Sequence, residues 1–238
     1  MVTLVMTAVM TTATASTALA KRRPVSTSGY DVSWPQCGKT LPASRVFGVV
    51  GVSDGLAFSD NPCLASEYAW AVGAPGAPAF YMNTANPGAV SSHWTTPGPR
   101  PCSGASSDAG CAYNYGWNAG AHAFAYAVQV TGAAAGTHAW WLDVETANSW
   151  STDTALNAAD IQGMLDFFAS QSVAVGVYST GYQWSQIAGS MAPAVPSWLA
   201  GAGSLTQARS WCSNPSFTAG RVAMVQFPNN GLDGDVAC

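Results

Sequence analysis

Acidic residues are scarce in this sequence, and several of them fall where a strand is expected to end. The 238 residues include 12 aspartates and glutamates, and Glu67 and Glu145 are the only glutamates. Asp143 and Glu145 close an apolar run, residues 139–145 (AWWLDVE). Side chains at i and i+2 of a strand share a face, so these two carboxyls point the same way. Asp31 lies in an early run, residues 29–34, while Asp233 and Asp235 sit just beyond the last one, residues 222–227. Carboxyls gathered in a partly dehydrated place do not titrate alike, because crowding keeps one protonated while its neighbour stays ionised. Cleavage of a glycosidic bond uses that split. One acid delivers a proton to the leaving oxygen, and a second carboxylate stabilises positive charge on the sugar ring or its acetamido group.

Acids at strand ends also cap helices, and LDGD around Asp233 and Asp235 is an ordinary turn sequence. Asp143 and Glu145 stand apart because Asp31 can converge on them, which makes these three the catalytic candidates. Ten tryptophans are many for this length. Indole faces stack on sugar rings, and Trp34, Trp141 and Trp198 lie nearest strand ends, although core packing competes for each. Tyr178 ends a buried run (GVYST) and can place its hydroxyl in the same mouth. His93, His122 and His138 are scattered without ligand spacing and no CxxC occurs, so no metal site is expected. No GxGxxG follows any strand, so no dinucleotide cofactor is expected either.

The elements that must position these residues alternate between short apolar runs and longer helical stretches. Residues 46–53 (VFGVVGVS) read as a strand buried on both faces. Further strands are expected at 79–83, 139–145, 173–179, 197–200 and 222–227. One helix opens at Asn61 as cap and Pro62 as first residue, with Leu64, Tyr68 and Val72 on one face. A second carries Trp117, Ala121, Phe124 and Val128 at spacings of 4, 3 and 4. In a third, Asn157 and Asp160 resemble a capping box ahead of Ile161, Leu165 and Phe168. A Gly/Pro/Ser-rich stretch, 87–110, is long for a loop, and loops of that length are often functional. At least seven strands alternating with helices indicate a mostly parallel sheet in an α/β protein, and a closed TIM-like (β/α) barrel is preferred to an open doubly wound sheet. In such a barrel the first and last strands are neighbours and the fourth faces them.

Composition narrows the partners. Hydrophobic residues make up 48% of the chain and charged ones only 8%. The net charge is −4, and three of the eight cations cluster at Lys21, Arg22 and Arg23, so no basic stripe exists for nucleic acid. Residues 1–20 are uncharged and end Ala18-Leu19-Ala20, a small-x-small site expected for a secretory signal. No stable membrane span is expected once it is removed. Residues 21–28 read as a flexible leader and 29–238 as one barrel domain, expected to be monomeric. Six cysteines agree with export to the extracellular space or cell wall. Of the fifteen pairings that six cysteines allow, Cys37–Cys63, Cys102–Cys111 and Cys212–Cys238 are favoured because they are sequential.

Six segments, in order, resemble the family 25 glycoside hydrolases, the lysozymes that cut bacterial peptidoglycan. Gly29-Tyr30-Asp31-Val32-Ser33 resembles the family's opening G-I-D-V-S, and Phe58-Ser59-Asp60-Asn61 with Ala65 is similar to its D-x-x-F-x-x-N-x-x-x-A. Leu142-Asp143-Val144-Glu145 resembles the central D-x-E strand, Gly176-Val177-Tyr178-Ser179 its G-x-Y-S/T, and Trp198-Leu199-Ala200 its W-x-A. Val225-Gln226-Phe227 followed by Asp233 resembles W-Q-Y and a terminal aspartate. The chain departs from the family at Trp34-Pro35-Gln36-Cys37, at Gly51-Val52-Ser53-Asp54-Gly55, which lacks an arginine, and at Tyr81-Met82-Asn83, which replaces Y-H-F. The resemblance implies a barrel with some irregular late strands, in a divergent, secreted, actinobacterial-type branch. It implies Glu145 as general acid and Asp143 as the group that orients the substrate acetamido, with Asp31 supporting. Asp233, Tyr178, Trp34, Trp198, Asn83 and Gln226 would contact the glycan. The implied activity is hydrolysis of β-1,4 linkages in peptidoglycan, and the alternative is an inactive cell-wall glycan-binding protein on the same scaffold.

Overall fold

A computed structural model describes residues 28–238. The expected signal, 1–20, and most of the leader lie outside those residues. Ser28 is buried, and its carbonyl accepts from the Val46 N–H. Eight strands form a closed barrel in sequence order. They are β1 (Gly29–Val32), β2 (Gly48–Gly51), β3 (Ala79–Asn83), β4 (Ala139–Asp143), β5 (Val175–Ser179), β6 (Ser197–Leu199), β7 (Val222–Asn229) and β8 (Leu232–Ala237). The first seven run parallel to their neighbours, and β8 is antiparallel to both β7 and β1. The expected α/β barrel is therefore present, and its irregularity lies in the late strands, with a register shift at Ser197/Trp198 and the reversed β8.

β8 corrects the expectation that Asp233 and Asp235 follow the last strand. Asn230 and Gly231 have φ of 54° and 80° and link the paired residues Asn229 and Leu232. Two consecutive positive φ values at Asn-Gly make the tight hairpin whose twist matches its flanking strands. The chain therefore reverses, and both aspartates ride on the strand that closes the ring.

Five helices cover the barrel: α1 (Leu64–Val72), α2 (Ala109–Thr131), α3 (Thr154–Ser170), α4 (Gly181–Ala188) and α5 (Leu205–Trp211). Asn61 does cap the first of these turns, accepting from the Cys63 N–H, but the helix itself starts at Leu64. Its buried stripe is Leu64, Glu67 and Ala71, whereas Val72 is 52% exposed. The capping box expected at Asn157 is absent. Asp153 caps α3 one turn earlier, and Asn157 is a buried tie to Ser151, Asn86 and the Ile187 carbonyl. Ile161, Leu165 and Phe168 are buried as expected. On α2 the buried stripe runs through Gly116, Ala119, Gly120, Ala123 and Ala127, and Val128 faces out.

Small residues occupy that stripe because α2 and α3 nearly touch. A Cβ at Gly116 would lie 1.9 Å from the Asp160 carbonyl oxygen, and one at Gly163 would lie 2.0 Å from that of Tyr113. Strand β4 is divided by its period. Trp140 points outward against Phe124 and Phe168, while Trp141 and Asp143 point into the barrel, where Trp141 meets Trp198 edge-on. The long segment before α2 is anchored: Trp94 is buried, Asn114 bonds both backbone groups of Arg100, and Asp108 caps α2. All three expected disulfides form. Cys212–Cys238 ties the end of α5 to the residue after β8.

Alanine ordinarily gains about 1 kcal/mol over glycine inside a helix. At Gly163 the sign reverses. Gly163→Ala is expected to cost about 1–3 kcal/mol through overpacking against Tyr113, read as a lower denaturant midpoint at unchanged slope.

Candidate active site

The C-terminal ends of the parallel strands surround an open cavity of about 320 Å³. Four carboxyls line it: Asp31 from β1, Asp143 at the end of β4, Glu145 two residues further, and Asp233 from β8. The period-two alternation that turns Trp141 inward turns Asp143 inward as well. β8 pairs Asp31 with Asp233 directly across the ladder, and Gly29 with Asp235. Tyr81, Tyr178, Trp198 and Gln226 complete the wall, and no lysine or arginine is among the lining residues.

Asp143, Asp31 and Asp235 are held by neutral partners. The Asn83 amide donates to Asp143 Oδ2 at 2.6 Å, and the Thr84 hydroxyl donates to the Asp143 carbonyl at 2.6 Å. Gln226 Nε2 donates to Asp31 Oδ2 at 3.1 Å, while its Oε1 accepts from the Tyr178 hydroxyl at 2.8 Å. Trp198 Nε1 donates to Asp235 Oδ1 at 2.9 Å. Behind Glu145, its own carbonyl accepts from Trp150 Nε1 and the Asn148 N–H, which fixes the turn that carries it.

Burial without counter-charge shifts every acid the same way. Dehydration, with the Asp233 charge adding to it, raises Asp31 to about 7. Dehydration and the neighbouring Glu145 hold Asp143 well above the usual carboxylate range. Asp235 is raised by burial and by Asp31 beside it, and Asp233 by burial. Glu145 is raised by burial, and hydrogen bonds from Asp143 and Gln183 limit the rise. Asp143 is the more buried of that pair and is the more strongly raised, so a proton is held between the two on Asp143's side, at the edge of an open mouth. That arrangement can donate a proton to a bound oxygen and then accept it back.

Most of the expected site residues come together. Asp31, Asp143, Glu145, Asp233, Tyr178, Trp198 and Gln226 line one cavity. Asn83 stands behind it as the partner of Asp143. Trp34 is not on the wall. It lies 45% exposed in a short 3₁₀ turn after β1, packed near Gly55. Asp235, named from sequence beside Asp233, lies behind the wall as the partner of Trp198. Tyr81 and Gln183 carried no expectation of a site role, although Tyr81 is i−2 from Asn83 on its strand. Among the described residues, no group of three or more His, Cys, Asp and Glu is arranged to hold a metal ion.

A family profile described as lysozyme-like protein 1 matches residues 114–209, from within α2 to within α5. Among solved structures, the chain is similar to a glycosyl hydrolase 25 of Streptococcus pneumoniae that participates in host cell invasion, at 14% identity, with 90% of this chain and 88% of that chain covered and a TM-score of 0.58. The barrel has the glycosyl hydrolase family 25 fold. A muramidase from Trichobolus zukalii shares it at 18% identity, with coverage of 90% and 94% and a TM-score of 0.57. So does a lysozyme from Streptomyces coelicolor at 16% identity, with coverage of 88% and 91% and a TM-score of 0.56. No curated protein matches the sequence. In this barrel the four lining carboxyls come from β1, from β8, from the end of β4 and from the turn that follows it.

A raised acid binds its proton in the folded state at pH values where the unfolded chain has lost it. Stability from Asp31 is therefore complete below the ordinary value of 3.8 and lost as pH rises through about 7. The melting temperature is expected to fall between pH 5 and pH 8, and Asp31→Asn is expected to flatten that fall. A variant whose melting curve follows the wild type across this range would refute the assignment.

Proposed function

We propose that this protein is a secreted lysozyme-like glycosidase that hydrolyses β-1,4 linkages of bacterial peptidoglycan. The observation that carries the reading is the pair Asp143 and Glu145 at an open mouth, facing Asp31 and Asp233 with no cation among them. The likeness to muramidases and the lysozyme-like profile support it. Three disulfides suit an extracellular or cell-wall location. No helix among the described residues is long and apolar enough to cross a membrane.

In this reading, Glu145 protonates the glycosidic oxygen as the bond to the sugar C1 breaks. The substrate's acetamido oxygen attacks C1 from the other face and closes a cyclic oxazolinium. Asp143 accepts a hydrogen bond from the acetamido N–H and stabilises the positive charge that forms there. That hydrogen bond favours the ionised form of Asp143, so substrate binding itself moves the shared proton onto Glu145. Ionised Glu145 then takes a proton from the water that opens the oxazolinium, and the retained sugar leaves. Tyr178, Gln226 and Asp31 form one hydrogen-bonded wall of the sugar site. Trp198 and Tyr81 supply ring surface at its floor.

Purified protein is expected to clear suspensions of bacterial cell wall, and Glu145→Gln to reduce turnover by about 10²–10⁴-fold without unfolding. The rate should fall at alkaline pH as Glu145 loses its proton. Wild-type turnover in the variant, or a rate still climbing above pH 8, would refute the role of Glu145. Glycan binding with no hydrolysis at any pH would select the non-catalytic binding protein instead.

A further inference from the structure

Asn83 ends β3, and the ladder sets it directly beside Asp143, the last residue of β4. The Y-H-F pattern that Tyr81-Met82-Asn83 replaces ends in a phenylalanine, which has no amide to donate, so this donor comes with the chain's own departure. Two further bonds keep the pair in place. The Asn83 N–H donates to Ser53 Oγ at 2.9 Å, and the hydroxyl of Thr84, the next residue, donates to the Asp143 carbonyl at 2.6 Å. Ser53 and Thr84 are both buried. From this fixed backbone, Asn83 Nδ2 reaches Asp143 Oδ2 at 2.6 Å. The other carboxyl oxygen, Oδ1, is hidden from solvent and has no hydrogen-bond partner among the described residues. The two oxygens of one carboxyl are thus treated differently.

An amide N–H can only donate, so the oxygen it meets must accept. A proton on Asp143 therefore sits on Oδ1 whenever the Asn83 bond is made. We propose that Asn83 is a positioning residue for Asp143: by occupying Oδ2 it leaves Oδ1 as the one oxygen that passes a proton or receives a ligand's N–H. That this N–H is the substrate acetamido rests on the reading above; the division of labour between the two oxygens does not. Leaving a buried acceptor unpaired is costly. The bond to Asn83 satisfies one oxygen, and a ligand donor satisfies the other. No cation competes for that place, because the ionisable groups that face Asp143 are Glu145 beyond β4, Asp31 from β1, Tyr81 from β3 and Tyr178 from β5. Asn83 also favours the ionised form of Asp143 against burial and the neighbouring acids. It is not among the residues that line the cavity, so its effect on a ligand passes through Asp143.

Labelling the side-chain amides with ¹⁵N tests the bond in the wild-type protein, with no charge added or removed. Asn83→Leu assigns the Asn83 amide. Carboxyl ¹³C labelling of aspartate follows Asp143, assigned with Asp143→Asn. One Asn83 amide proton is expected to exchange slowly, and its shift to follow the Asp143 titration. An amide that exchanges freely and ignores that titration overturns the proposal, whatever the activity. In Asn83→Leu, which is neutral like the wild type, the Asp143 signal is expected to titrate at higher pH. Glu145, one of only two glutamates and so resolved by glutamate labelling, should stay in place or fall. Burial is the largest cause of the rise in both acids. A shift shared by both, in either direction, therefore marks a change of hydration and overturns the proposal, as does an unmoved Asp143. On cell wall, Asn83→Leu should lose about 10–100-fold in kcat. The acid limb of its pH profile should move upward, because Asp143 must lose its proton to receive the acetamido, while the alkaline limb set by Glu145 does not rise. An amide that behaves as expected in a protein that never hydrolyses glycan upholds the role of Asn83 and sinks the hydrolase reading instead. Should Asn83→Leu fail to fold, the wild-type amide measurement decides, with Asn83→Ala for the assignment.

Discussion

The architecture is organised around a shortage of positive charge. Four carboxyls share one cavity wall, a fifth lies directly behind, and no lysine or arginine is among the lining residues. Like charges so placed cannot all ionise, and dehydration makes ionisation costlier still. What answers the repulsion is a set of protons and neutral donors: the amides of Asn83 and Gln226 and the indole of Trp198. An arginine would remove the repulsion and with it the proton that an acid catalyst must hold. The near absence of charge from the chain as a whole and the local choice of amides over cations express the same requirement.

The scaffold serves that requirement by keeping its two faces separate. On β4, Trp140 belongs to the outer layer with α2 and α3, and Asp143 belongs to the mouth. A one-residue slip of register would send the carboxyl into the helix layer and the indole into the cavity. Close packing of α2 on α3 through Gly116 and Gly163 leaves little room for such a slip, because the helices that cover β4 are set by backbone contact. Precision at the mouth therefore begins on the side of the barrel where no chemistry occurs.

The sequence was readable wherever one residue type had one interpretation. Continuous β-branched runs marked strands, the apolar run ending in D-x-E marked the mouth, and sequential cysteines marked their partners. It was misread where large side chains were assumed to make the core. Val72 and Val128 face out because the true contact stripes use small residues, Ala71 on α1 and Gly116 through Ala127 on α2, where helices approach too closely for valine. β8 escaped notice because LDGD suits a turn, although Asn230-Gly231 just before it is the stronger signal and marks a hairpin. Trp34 has the type expected of a sugar platform but leaves β1 in a turn that carries it off the wall. Gln183 could not be found by local pattern at all: its spacing predicts a helix cap, and only the tertiary structure shows the side chain elsewhere.

β8 has a consequence for how the molecule fails. It carries Asp233 and Asp235 against Asp31, so the same ladder that shuts the ring also presses acids together. As protons leave with rising pH, that seam is where outward electrostatic pressure builds, and parting β1 from β8 is the small opening that relieves it. The Cys212–Cys238 bond does not cross that seam; it ties the end of β8 to α5, so β8 stays anchored to its helix when β1 parts from it. In a reducing medium that anchor is gone while the pressure remains, so alkali and thiol together should loosen this protein at one place, the strand that completes its ring.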